Sequence, residues 1–560
     1  MSATTVPQAR ESFPARLAAK IGLDPFELVC LLVLVAQAFF VLAALLTKGR
    51  PLSGADGLLA SDQLQYLAWI REASNHVLIG NPFDLAHGDR VFLHPGFLIS
   101  GVVHDVTGLS IPASYIGLWK PVAIAVMFVG AVKYVRRLLP PGGQRHSALV
   151  LVLFAVMPAS AIVAWTGWGG KPREYSFDFI SGEMWSGQYL WGYLMTAIAV
   201  FLLPLVLLGI ERWRRDRRWS LLAWSTVGAL LVCWLQPWQG ATLAIIVVAV
   251  EAYRWLRRRE RPAWPLVAIL VAIGLPALYY LAIGHFDPSW ELAGKSNAAG
   301  AQTAWKWPWW AMVLTIGPLA VPAALAYRPS VLAKTDRGND TPSWQAIALR
   351  VWPLAALVVY LAPIGTFPYH AFQGLAIPLG ILAVQGVVSV WPRPKPWVVA
   401  AALAVMVVPG FIHKVQVSAN SIHVAGDPFF VFPDEVRALK TLEADPRPGG
   451  VLSPTYAGYM VPYRTGRESY IGPFSWTPHW KQRQKLADGL FEGSITGAAA
   501  RRFVVSTNAR YLFEDCRPGL ANLEPELRPL LARTQRFGCA TVYELTFRPA
   551  MARAAGPPDA

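Results

Sequence analysis

Residues 27–47 read ELVCLLVLVAQAFFVLAALLT, and residues 58–96 read LLASDQLQYLAWIREASNHVLIGNPFDLAHGDRVFLHPG. The first run is apolar over about twenty residues, enough for a helix to cross roughly 30 Å of hydrocarbon. It exceeds the usual apolar core of a secretory signal, so it reads as an uncleaved span. The second run places Asp62 at the head of a stretch in which Leu64, Leu67 and Ile70 recur every third residue. That spacing predicts a helix lying along the membrane surface. By position alone Ser61 or Asp62 reads as the cap of that helix, accepting backbone N–H bonds.

The rest of the chain repeats the first run. Of 560 residues, 54% are hydrophobic and 15% charged, and the mean hydropathy is +0.38, outside the range of soluble domains. Apolar segments follow near 116–134, 147–165, 189–210, 219–235, 239–253, 263–284, 308–327, 347–365, 371–391 and 396–414. With the first they predict an α-helical polytopic membrane protein of about eleven transmembrane helices. The turn WLQPWQG (234–240) between two of them is short and contains Pro237.

Cationic loops beside spans stay in the cytoplasm. The clusters KYVRR (133–137), ERWRRDRRW (211–219), RWLRRRERP (254–262), YRPSVLAKTDRG (327–338) and RPKP (393–396) all fall in alternate connections. The expected layout is a cytoplasmic segment 1–26, a transmembrane domain 27–415 with a long first outer loop 48–115, an extracytoplasmic domain 416–550 and a disordered tail 551–560. The formal charge of +16 is then a topological signal in a chain that works in a lipid bilayer, and no nucleic-acid partner is expected.

The other outer segments are 166–188 (TGWGGKPREYSFDFISGEMWSGQ), 285–307 and TFPYH (366–370). Nine of the ten His lie on or near that side, His146 being the exception, so the functional surface is expected there. After 416 the composition becomes that of a soluble α/β or α+β domain. PDEVRALKTLEA has helical spacing, GGVLSPTYAGYMVPYRTGRESYIGPF alternates β-like runs with turns, and ATVYELTF reads as a last strand. Cys30 and Cys233 lie in spans; Cys516 and Cys539 lie in the outer domain, where the environment favours disulfides, and are expected to pair.

A long first outer loop with an acid just after span one, about eleven spans and a C-terminal outer domain together resemble the GT-C glycosyltransferases, membrane enzymes that use polyprenyl-phosphate-linked sugars. DQLQYLAWIREASNHVLIGNPFDL, PYHAFQGLAIPLGILA and GYMVPYRTGRESYIGPFSWTPHWKQR are similar to an actinobacterial-type branch of that class. The resemblance implies that Asp62 is the catalytic base, that the donor is a polyprenyl-phosphate hexose or pentose such as mannose or arabinose, and that the acceptor is an envelope glycan, glycolipid or protein. With phosphate as leaving group, one base suffices, and attack from the opposite face inverts the anomeric carbon.

The residues supply further candidates. Cations for the phosphate are Arg71, Lys120, Lys171 and Arg173, joined by Tyr369 and His370 of PYH beside Gln373. Lys120 also reads as a snorkelling side chain. Trp165 and Trp168 in WTGWGG, and Trp238 with Gln239 in QPWQG, pair rings with small or polar neighbours suited to a sugar, and equally suit an interfacial belt. Trp476, His479, Trp480 and Arg483 are offered as an acceptor surface, or as core rings of a small domain. Glu174 and Asp178 are hard oxygen donors for a divalent cation, Mg or Mn, or solvated loop acids; Asp56 and Asp62 are too far apart for a paired-acid motif. His76, His87, His94 and His104 have no regular zinc spacing. A transporter or flippase of lipid-linked saccharides and a non-catalytic envelope-assembly protein are the competing readings. The first is disfavoured by the missing internal repeat and the large outer domain.

Overall fold

The computed structural model describes residues 22–86, 88–305, 309–334, 343–362, 367–423 and 428–546. The tail 551–560, most of segment 1–26 and His87 lie outside the described residues.

Eight described helices are long and apolar enough to cross a membrane: Pro25–Leu46, Ile111–Leu138, Leu194–Asp216, Pro237–Arg258, Trp264–Phe286, Trp309–Tyr327, Trp344–Leu361 and Pro396–Ile422. A ninth segment is a pair, Gly143–Phe154 and Pro158–Thr166, bent by 51°. Proline has no N–H to continue a helix, and the freed backbone is used elsewhere: Val156 N donates to Met406 O at 2.9 Å. The two remaining apolar segments form the shorter helices Trp219–Leu235 and Ala376–Val390. Each of the eleven apolar segments thus corresponds to a helix or bent pair. The protein is a polytopic α-helical membrane protein with a small C-terminal α+β domain.

The connections are more ordered than their sequence predicts. The second loop is a helix, Gly170–Met184, because Phe177, Ile180 and Met184 form an apolar stripe turned inward. The third carries the helix Pro288–Trp305, whose start is held by Asp287 Oδ1 accepting from Trp290 N at 2.9 Å.

The C-terminal domain has a four-stranded sheet in the order β1-β2-β4-β3, with β1 Val451–Leu452, β2 Tyr511–Glu514, β3 Leu531–Phe537 and β4 Ala540–Leu545. β1 runs parallel to β2, and the other pairs are antiparallel. PDEVRALKTLEA is the helix Pro433–Ala444. The β-like reading of 449–474 fails beyond β1: Thr455–Gly458 and Val461–Thr465 are short helices. Pro454 and Pro462 stand at their starts, where proline suits a helix and cannot donate to a strand ladder. Cys516 and Cys539 form a disulfide that ties the segment after β2 to the β3–β4 turn, with 5.0 Å between Cα atoms.

This domain sits on the first loop. Ser53 N donates to Phe429 O at 2.8 Å and Val431 N to Pro51 O at 2.9 Å. Asn81 Nδ2 donates to Trp476 O at 2.8 Å, and Arg483 pairs with Asp84 at 2.9 Å.

Candidate active site

The first-loop helix is Ala60–Ala73; its N-cap is Leu59 and no side chain caps it. Asp62 lies in the first turn without the capping role that its position allowed, so its carboxylate is available for other partners. The approach to this helix is tightly held. Gln63 Oε1 accepts from Asp56 N at 2.8 Å and Gly57 N at 2.9 Å, and Leu58 N donates to Trp191 O at 2.9 Å. A Cβ on Gly57 would stand 1.9 Å from Trp191 O, so only glycine permits this approach. The seam between 57 and 191 brings Tyr193 over Asp62, and the Tyr193 hydroxyl donates to Asp62 Oδ2 at 2.8 Å. Burial raises the Asp62 carboxyl above the usual carboxylate range, against the opposing effects of Tyr193, the nearby His370 charge and Ser61. A carboxylate raised in this way is a better proton acceptor near neutral pH.

The second-loop helix, Gly170–Met184, delivers two more acids. Asp178 Oδ1 lies 2.6 Å from Lys414 Nζ and 3.2 Å from His413 Nε2, both on the last span, and Lys414 Nζ also donates to Asp178 O at 3.1 Å. Burial alone would raise Asp178; the Lys414 ammonium and His413 outweigh it and hold the carboxyl well below its ordinary range. Glu183 is buried, with His370 Nδ1 at 3.1 Å and Gln373 Nε2 at 2.8 Å, both on Oε2. Asp178 and Glu183 both lie on this second-loop helix, and the Tyr175 hydroxyl on it is raised, first by desolvation and then by Asp178, Asp62 and Glu183. The two environments thus push in opposite directions, burial raising Asp62 and the Lys414 ammonium lowering Asp178.

The turn WLQPWQG closes the cluster. Gln236 Nε2 donates to Gln373 Oε1 at 2.6 Å, Gln239 Nε2 donates to Gln373 O at 2.9 Å, and Trp238 meets the His370 ring edge-on at 4.8 Å.

Among the other expected residues, Arg173 lies over the rings of Trp168 and Trp310 at 4.4 and 5.2 Å, a cation–π clamp. Trp165 is exposed and donates to Gln416 Oε1 of the last span at 2.9 Å. Several expectations meet a different geometry. Lys120 is fully buried, donating to Asp56 and, at 3.0 Å, to Ala38 O; it faces no open surface where a phosphate could sit. Tyr369 is buried against Tyr360, Phe367 and Phe372. Trp476 is buried edge-on between Trp69 and Trp290 at 5.0 and 4.8 Å, sealing the domain to the loops, and Trp480 donates to Gly472 O at 2.8 Å, while His479 is exposed. Arg71 pairs with Glu443 at 2.8 Å, and Lys171 with Glu174 at 3.0 Å on an exposed surface.

Sequence reading passed over Tyr193, Glu183, Gln236, His413 and Lys414. The adjacent His413 and Lys414 in an apolar run were a legible signal, since charge in a span is costly unless used; Glu183 in ISGEMW carried none.

For a divalent cation, the ligand set does not fit. Asp178 is engaged by Lys414 and His413, Glu183 by His370 and Gln373, and Asp62 by Tyr193. Among the described residues, three ligand atoms gather within 4.8 Å of one another only at Asp434, Cys516 and Cys539, where the disulfide occupies both sulfurs.

Neither a protein-family model nor a curated protein matches the sequence. Solved structures do. The Archaeoglobus fulgidus oligosaccharyltransferase complexed with Zn and sulfate is matched with a TM-score of 0.52 at 13% identity, over 88% of this chain and 68% of that one. The same organism's oligosaccharyltransferase AglB, with an inhibitory peptide and a dolichol-phosphate, is matched at 0.51 and 12% identity, over 88% and 69%. A looser match, 0.45 at 12% identity over 92% and 97%, is to ArnT from Cupriavidus metallidurans bound to undecaprenyl phosphate. At these identities the first two matches show a shared fold, that of the archaeal oligosaccharyltransferase, and no more.

Proposed function

We propose that the protein is a glycosyltransferase that moves a hexose or pentose from a polyprenyl-phosphate donor to an envelope glycan, glycolipid or protein, with inversion. The reaction is placed on the outer face, with the N-terminus in the cytoplasm, following the distribution of Lys and Arg. The observation that carries the reading is Asp62: an uncapped, partly buried first-loop carboxylate with a raised pKa, held by Tyr193 beside two further acids, in a fold shared with a protein solved with a dolichol-phosphate.

In this reading Asp62 takes the proton of the acceptor hydroxyl as the acceptor oxygen bonds to the anomeric carbon. The bond from that carbon to the phosphate oxygen breaks, and its electron pair leaves with the polyprenyl phosphate. Tyr193 orients the base. Trp238 offers a ring face to the sugar, and Arg173 and His370 are the cationic candidates for the phosphate. No step runs through a metal, because the acids already have partners.

The test is transfer from radiolabelled polyprenyl-phosphate sugars to an envelope extract by purified wild type and Asp62→Asn. Loss of the general base is expected to lower the rate about 100-fold or more in a folded variant. Equal rates would remove Asp62 from the chemistry, and no transfer from any donor would favour transport or assembly.

A further inference from the structure

The leaving group sets a requirement that Asp62 does not meet. A polyprenyl-phosphate sugar is a phosphodiester with one negative charge; cleavage at the anomeric carbon leaves a monoester with a second charge on the oxygen that held the sugar. The acceptor's proton goes to Asp62, so that oxygen needs a donor of its own.

The hydrogen-bond network around Glu183 fixes one. Gln236 Nε2 donates to Gln373 Oε1, which turns the Gln373 amide nitrogen toward Glu183 Oε2. His370 Nδ1 lies 3.1 Å from the same oxygen and 3.2 Å from Gln373 Nε2; as an imidazolium the ring donates from both nitrogens, Nδ1 to the Glu183 carboxylate, which leaves Nε2 as its second donor. The Glu183 backbone is held too: Tyr189 OH donates to Glu183 O at 2.5 Å and accepts from Gly374 N at 2.9 Å, which ties the second-loop helix to the His370 segment. Gly374 has φ of +79°, and a Cβ there would stand 2.7 Å from Val200 Cγ1, so the segment is locked against the neighbouring span. The imidazole is left 29% exposed while Glu183 is 5% exposed. His370 is within electrostatic reach of Asp62 and sits edge-on to Trp238. The acids facing it are Glu183 and Asp62.

We infer that Glu183 is a positioning residue acting through His370: by engaging Nδ1 it fixes the imidazole and leaves Nε2 to hold the phosphate of the departing polyprenyl chain. This rests on the proposed glycosyl transfer for its chemistry, but its ligand, a phosphate monoester on a long isoprenoid, can be tested without transfer.

The full-length protein in lipid nanodiscs is titrated with undecaprenyl phosphate, and with undecaprenol as the uncharged control, reading tryptophan fluorescence. Wild type is expected to prefer the phosphate. Glu183→Gln and His370→Gln are each expected to weaken it about ten-fold, the scale of one hydrogen bond to a charged group. The double variant is expected to be no weaker than His370→Gln alone, because Glu183 acts only through the ring. If Glu183→Gln does not fold by thermal melting, Glu183→Asp, which keeps the charge but draws it back from Nδ1, carries the same comparison. Unchanged binding in the Glu183 variant, multiplying losses in the double variant, or no preference of wild type for the phosphate would each overturn the inference. A protein that shows the expected pattern yet transfers no sugar would sink the transferase reading alone.

Discussion

A carboxylate whose charged form burial disfavours costs stability wherever it is ionised, and Asp62 is such a group. Its folded pKa lies above that of the unfolded chain, so the folded state binds the proton more tightly. Stability therefore falls as pH rises through the ordinary carboxylate range and stays lower above the folded value. Asp62→Asn removes that cost. The variant is expected to be more stable than wild type at neutral pH by about 1 kcal/mol, with the difference shrinking once both forms are uncharged in acid. Melting curves between neutral pH and about pH 4, the ordinary carboxylate value, measure this; a variant less stable at every pH would make Asp62 a structural residue. The position of Asp62 was legible in the sequence. Its partner Tyr193, 131 residues away, was not, because the pairing depends on the close seam between Gly57 and Trp191.

Among elements, the second-loop helix contributes most that periodicity could have shown, since its Phe177, Ile180 and Met184 stripe is readable once the segment is not set aside as a loop. The acids on that helix are different, because their meaning comes from Lys414 and His370 on other elements. Lys120 shows the same dependence in reverse. From sequence it is a cation near the start of a span; in the fold it is the partner of buried Asp56 and anchors the entry to the first-loop helix. Lys120→Ala leaves that carboxylate buried and unpaired, and is expected to cost about 3–5 kcal/mol. It should appear as loss of folded protein in size-exclusion chromatography and in melting temperature. A Lys120→Ala protein that folds normally and binds donor more weakly would return Lys120 to the phosphate.

For the whole molecule, the contacts between first loop and C-terminal domain place both on one face of the bundle. Which face that is rests on the placement of Lys and Arg. The free thiols Cys30 and Cys233 are buried and the other two are joined, so introduced cysteines give a clean readout. Val77→Cys, at an exposed first-loop site, is expected to react with a membrane-impermeant maleimide on intact cells. Arg257→Cys, exposed at the opposite end of a span, is expected to react only after lysis. The opposite pattern would invert the proposed orientation. The eleven apolar segments, the amphipathic first-loop helix and the separate C-terminal domain were determined by sequence alone, because hydrocarbon thickness and helical period act on contiguous residues. Tertiary structure decided which polar side chains became a site. Asp62, Asp178, Glu183 and His370 meet only when the loops and the last span pack together, and the same packing consumed Lys120, Tyr369 and Trp476 in the frame.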